Sequence, residues 1–331
     1  MAVYTEVSIQ EARTLMRALK LGELTTLAGC VGGIENTNYF VSTELNGQEN
    51  HYVLTLFERM THDQLSFYLR LMKHLAQRGI LVPEPHANAK GALAFDVKGK
   101  PAVVVNRLRG ISALEPTAQH CALMGEALAK MHLAARDFDQ QQPNLRALPW
   151  WNETVPMVLP YLKGEQATLI RAELAYQNHI AATSDYAALP RGPVHADLFR
   201  DNVLFDIVNG APVLSGMFDF YFAGIDAWVF DLAVCLNDWC IDAQAAIHQT
   251  QNAHSFVAAY SAVRPLQAAE RSLLPAMLRA AALRFWISRL WDFYLPREAS
   301  LLTAHDPGHF ERVLQLRTTQ VMPFNELMGQ A

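Results

Sequence analysis

The chain has 331 residues, of which 51% are hydrophobic and 18% charged, and a formal net charge of −5. That length supports two separate cores, and the composition excludes long disorder. The acidic balance excludes the basic footprint of a nucleic-acid binder, and no apolar run approaches the roughly 20 residues needed to cross a bilayer. Ser8-Ile9-Gln10-Glu11 is a capping box that predicts a first helix, with Gly22 as its stop. Three antiparallel strands are predicted next, Glu23 to Cys30, Asn38 to Glu44 and His51 to Phe57, the last two joined by the hairpin signal Asn46-Gly47. Thr61-His62-Asp63-Gln64 opens a second helix running to near Gly79, in which Leu65, Leu69, Met72 and Leu75 recur at helical spacing. After Pro83 and Pro85 come two short strands, Ala92 to Val97 and Pro101 to Arg107.

Residues 1–106 therefore predict an N-terminal lobe of five antiparallel strands and a helix, with residues 107–112, around Gly110, as a hinge. Residues 113–331 predict a larger, mainly helical lobe. It has a helix over 117–135, helical pattern over 153–183 broken near Lys163-Gly164, and two short strands with a loop at 193–220. From 228 onward the pattern is helical, punctuated by prolines 265, 275, 296, 307 and 323. Met1 to Glu6 has neither the basic region nor the apolar core of a secretory signal, and the four cysteines are scattered. They are expected reduced and buried in a cytoplasmic chain.

The chemistry concentrates in His195-Ala196-Asp197-Leu198-Phe199-Arg200-Asp201-Asn202, which precedes the apolar run Val203-Leu204-Phe205, and in Asp219 beyond it. A base, then an Asn and an Asp that ligate a metal, is the order a phosphoryl-transfer site uses. Asp197 is the candidate base; a lone Asp would read as a turn or helix cap, but its company here favours catalysis. Asn202 and Asp219 offer oxygen ligands suited to Mg2+, and the apolar neighbours of Asp219 predict a partly buried strand. His195 reads either as an organiser of the loop or as a core histidine satisfied by a backbone carbonyl. Gly32 and Gly33, in a turn that also holds Asn36, would let the backbone approach a nucleotide closely.

The His-x-Asp-x-x-x-x-Asn loop, Asp219 and Phe230-Asp231-Leu232-Ala233 resemble the aminoglycoside phosphotransferase and choline kinase superfamily, whose fold is protein-kinase-like. More narrowly, Gly33-Ile34-Glu35-Asn36-Thr37-Asn38-Tyr39-Phe40-Val41, Leu198-Phe199-Arg200-Asp201-Asn202 and Asn237-Asp238-Trp239-Cys240 resemble bacterial homoserine kinases of that fold. The resemblance covers nearly the whole chain. It implies an α+β, two-lobe kinase that uses ATP and Mg2+ to phosphorylate the small molecule L-homoserine, in threonine biosynthesis. It also implies that Asp231 braces the catalytic loop rather than ligating metal.

Thr55 stands where a kinase third strand carries its phosphate-gripping Lys. Some other cation is expected to compensate; Arg200 is the first candidate, with a rim salt bridge as the competing reading, and Arg59 the second. The acceptor's ammonium and carboxylate need an acid and a cation, for which Asp226, Asn237, Asp238, Arg284 and Arg289 are candidates; an exposed ion pair is the competing reading for each, and an equal one for Arg284 and Arg289. Two other readings stand beside this one. The acceptor is a different hydroxylated amine or sugar, such as ethanolamine, choline or methylthioribose, or the chain is a silent nucleotide-binding module, as the missing Lys would suggest.

Overall fold

The computed structural model describes residues 4–30, 36–242, 247–295 and 305–320, and the chain divides after Arg109 into two compact units. In the first, Ser8 and Glu11 cap each other at the start of α1 (Ile9–Ala18). The helix stops short of Gly22, because Lys20 already turns into the left-handed region. Five strands follow: β1 (Glu23–Gly29), β2 (Thr37–Leu45), β3 (Gln48–Leu56), β4 (Phe95–Val97) and β5 (Lys100–Asn106). They form one antiparallel sheet in the order β1-β2-β3-β5-β4.

Asn46 and Gly47, with φ of 53° and 77°, make the tight turn between β2 and β3; both must be left-handed there, which Asn and Gly tolerate best. Alternate residues of a strand face opposite sides, so Tyr39, Val41, Leu54, Leu56 and Val104 gather on one face with Ala12 and Met16 of α1. α2 (His62–Gln77) is opened by a second reciprocal cap, Thr61 with Gln64. Its periodic Leu65, Leu69, Met72 and Leu75 are all buried, each contributing about 1.5–3 kcal/mol over exposure.

The second unit is mainly helical. It holds α3 (Ala118–Ala134), α4 (Leu148–Val158), α5 (Gly164–Ala181), the short α6 (Ser184–Ala187), α7 (Trp228–Trp239), α8 (Thr250–Val263), α9 (Ala268–Tyr294) and α10 (Gly308–Thr319). Two antiparallel strand pairs are set among them, β6 (Arg191–Val194) with β9 (Gly224–Ala227), and β7 (Val203–Val208) with β8 (Ala211–Met217). α4 begins earlier than the periodicity predicts, since Pro149 sits in its first turn, where a missing N–H costs nothing. Pro275 does not punctuate: it lies inside the 27-residue α9, whose flanking Leu273, Leu274, Ala276 and Met277 are buried and outweigh one lost backbone bond. Among the described residues no helix is long and apolar enough to cross a membrane, and Cys30, Cys121, Cys235 and Cys240 are free and buried.

Candidate active site

The loop between β6 and β7 is held from below by one acid. Asp231, in the first turn of α7 where a carboxylate meets the positive end of the helix, accepts hydrogen bonds from the backbone N–H groups of His195 and Ala196, both at 2.8 Å. His132 Nε2 donates to the same carboxylate at 3.1 Å. Asp231 is fully buried. Burial alone would push its carboxyl up, but the hydrogen bond and field of His132, with the contribution of His195, bring it below the usual range.

His132 continues inward. Its Nδ1 lies 2.8 Å from Tyr260 Oη, which also accepts from Arg264 Nη1 at 3.1 Å, and Arg264 is paired with Glu270 at 2.9 and 3.0 Å. With Arg264 donating to the phenol oxygen, the phenol proton is left for His132 Nδ1, and Nε2–H points at Asp231. Burial holds the His132 ring below its ordinary pKa and therefore neutral, as this chain of donors requires. α7 also tracks the loop along one stripe. Cys235 Sγ and Trp239 Nε1 donate to Leu198 O at 3.6 and 3.0 Å, and Asp238 accepts from Arg200 N at 2.7 Å.

Within the loop, Ala196 is left-handed (φ 63°), which turns the chain so that Asp197 follows directly on the braced peptide. His195 is fully buried and lies below its ordinary pKa, first through burial. Its Nε2 is 2.9 Å from Phe218 O, which can only accept, and its Nδ1 accepts from Asp197 N at 3.3 Å. Both ring nitrogens are committed to loop structure, so His195 organises the loop and has no proton position left for the reaction. Asn202 Nδ2 donates to Asp197 O at 2.8 Å, which turns the amide so that its oxygen is the group left for a cation.

Asp219 departs from expectation. β8 ends at Met217, and Asp219 is an exposed, left-handed residue (φ 66°) that begins a 3-10 turn at Phe220–Phe222. Phe218 N, one residue before it, donates to Asn202 O at 3.0 Å, so the Asn and Asp arise from adjoining backbone. Two hard oxygen donors suit an ion that keeps waters and bridges to phosphates. No cluster of three His, Cys, Asp or Glu side chains among the described residues would hold a metal by itself.

Burial raises the Asp197 carboxyl to about 7; the positive field of Arg284 opposes this, while Asp219 and Asp201 add to it. Arg284, on α9, is buried with Nη1 at 3.7 Å from Asp197 Oδ1. Arg289 lies on the same helix with its guanidinium over the Phe310 ring, and its field also reaches Asp197.

The remaining substrate and cation candidates go elsewhere. Arg200 is tied to Asp238 through Nε at 3.1 Å, to the Asp238 carbonyl through Nη2 and to Leu114 O at 3.0 Å. It forms a rim salt bridge, not a cation left for phosphate, and Asp238 is a loop anchor, not an acceptor ligand. Asn237 is buried between Leu278 O and Arg317 Nε, at 2.8 and 2.9 Å. Asp226 sits opposite Gly192 in the β6–β9 pairing, at the far end of β6 from Asp197, where it binds Asn144 and Arg191. Asp226, Asn237 and Asp238 were expected as polar partners of the acceptor; each is instead bonded to another strand, helix or loop of the protein.

In the first unit, Gly32 and Gly33 lie outside the described residues. Asn36 begins the entry into β2, and Asn38 Nδ2 donates to its carbonyl at 3.5 Å. Thr55 Oγ1 donates to Asn38 Oδ1 at 2.6 Å, so its hydroxyl links two strands. On the helix after β3, Lys73 is paired with Glu84 at 2.6 Å.

Residues 26–266 match the model of the phosphotransferase enzyme family. The chain is 62% identical to a homoserine kinase from Polaromonas naphthalenivorans over 96% of its own length and 98% of the relative's. It is 55% identical to a homoserine kinase from Cupriavidus pinatubonensis, covering 96% of each. The chain belongs to the homoserine kinases of the phosphotransferase enzyme family. An amicoumacin kinase solved with AMP-PNP, Ca2+ and Ami superposes with a TM-score of 0.65, at 16% identity and covering 94% of both chains. At that identity it shows the fold, which is the protein-kinase-like one. The sequence singled out the residues of the loop from His195 to Asn202 but gave no sign of His132, Tyr260, Arg264 and Glu270 behind it. They come from α3, α8, the residue that follows α8 and α9, and no local motif marks them.

Proposed function

We propose that this kinase transfers the terminal phosphoryl group of ATP to the side-chain hydroxyl of L-homoserine, yielding O-phospho-L-homoserine for threonine biosynthesis in the cytoplasm. Asp197 accepts the hydroxyl's hydrogen bond and directs its oxygen at the γ-phosphorus. As the new O–P bond forms, the bond to the β-phosphate oxygen breaks, and the proton passes to the Asp197 carboxylate. Asn202, through its amide oxygen, and Asp219 would hold Mg2+. Bound there, the ion neutralises charge on the nucleotide phosphates. Asp231, through the backbone of His195 and Ala196, keeps Asp197 in place while it works. Transfer is direct from ATP to the acceptor, with no phospho-enzyme.

The observation that carries this reading is the loop itself: Asp197 joined to Asn202 and braced by Asp231, in a chain 62% identical to a homoserine kinase. The test is ADP release with Mg-ATP, comparing L-homoserine with L-serine, ethanolamine, choline and methylthioribose. Strong preference for L-homoserine is expected. The Asp197→Asn variant is expected to lose about 10²- to 10⁴-fold in kcat with ATP affinity retained. Turnover confined to another acceptor would overturn the substrate, and full turnover by Asp197→Asn would remove the base.

A further inference from the structure

We propose that Arg284 is the residue that selects an acceptor bearing a carboxylate. This inference rests on the kinase reading above and adds to it how the acceptor is recognised. Arg284 is 3% exposed. The ring of Phe285 lies 3.7 Å from its guanidinium carbon and that of Phe222 5.1 Å away, which fixes the plane of the group. Nη1 faces Asp197 at 3.7 Å, close enough to feel its charge but too far for a hydrogen bond. Nε and Nη2 are buried and have no hydrogen-bond partner among the described residues.

A buried guanidinium with two unmet donors is costly in the free protein, and such groups persist where something else completes them. Nε and Nη2 form the edge of arginine that grips a carboxylate with two parallel bonds. This chain uses that edge twice elsewhere. Arg17 holds Glu23 through Nε at 2.8 Å and Nη2 at 2.7 Å. Arg279, five residues before Arg284 on α9, holds Glu173 through Nε at 2.9 Å and Nη2 at 2.5 Å. Arg284 presents the same fork beside the base with no carboxylate of its own.

An acceptor carboxylate seated there satisfies both donors and lies on the far side of the guanidinium from Asp197.

The test compares L-homoserine with 3-aminopropan-1-ol, the same acceptor without its carboxylate, in the wild-type enzyme and in Arg284→Met and Arg284→Lys. The wild type is expected to prefer L-homoserine by about 10²-fold or more in kcat/KM, because a site built around an anion rejects an analogue lacking it. In Arg284→Met that ratio should collapse toward unity, with partial recovery in Arg284→Lys and the KM for ATP within about threefold of wild type. Thermal melts establish that the variants are folded. If the Met variant is not, L-homoserinamide offered to the wild type reads the same contact and should be a similarly poor acceptor. An unchanged ratio in a folded variant, ready turnover of the amide, or a change in ATP KM in place of acceptor KM would each overturn the proposal. A wild type that ignores L-homoserine overturns the kinase reading first, and this inference falls with it.

Discussion

Asp231 accepts three hydrogen bonds while fully buried, and two of them come from the peptides that precede Asp197. An amide in its place has one acceptor oxygen and turns an N–H₂ toward an N–H. Asp231→Asn should therefore leave a buried donor unmet, costing about 1–3 kcal/mol, and should lower kcat by about 10-fold or more with little change in the KM for ATP. Steady-state kinetics at saturating ATP would check this; an unaltered kcat would show that the loop holds itself. Contiguity made the loop legible in advance, because His195 to Asn202 carry their order in the sequence. What was not legible was which polar residues nearby were already spoken for. Asp238, Asn237 and Asp226 looked available as single letters, yet each is consumed by a partner distant in sequence. Asp219 was misplaced for a related reason: apolar neighbours suggested a strand, but Phe220 is buried by a turn rather than by a sheet.

Helix α7 shows how an element can be read correctly and still be misunderstood. Its apolar run predicts burial, and Trp228 to Leu236 are indeed buried. Its second job, carrying Asp231, Cys235, Asp238 and Trp239 on one stripe against the loop, follows from helical spacing only once the loop's position is known. Hairpins were the most legible elements, since Asn46-Gly47 sets turn and register together. The packing of α3 on α8 was not, because its key is a glycine. A Cβ at Gly125 would collide with the carbonyl of Phe256. Gly125→Ala, which favours an isolated helix, should here destabilise the protein by about 1–3 kcal/mol through overpacking, visible as a lower denaturant midpoint. A raised midpoint would mean the helices can part without penalty.

The folded protein keeps His132 and His195 neutral, both held below their ordinary pKa chiefly by burial. In the unfolded chain each takes a proton near 6.5. Below that pH the unfolded state binds more protons than the native one, so stability falls, by up to about 1.4 kcal/mol per pH unit for each histidine. Asp231 acts in the same direction at lower pH: its depressed pKa contributes stability that is lost only as pH falls below its ordinary value of 3.8. Asp197, raised to about 7, takes its proton first in the folded state and opposes the loss from the histidines, so the clean readout is a difference: between pH 7 and pH 5 the melting temperature of His132→Gln should fall less, or rise more, than that of the wild type. A variant profile parallel to that of the wild type would contradict neutral burial of His132. The placement of Arg284 has a different kind of consequence. It rides on α9, whereas the base and the two oxygen donors belong to the segment from β6 to the turn after β8. On that reading, what selects the alcohol and what moves the phosphoryl group lie in separate stretches of the chain, and the two meet where the charge of Arg284 bears on Asp197.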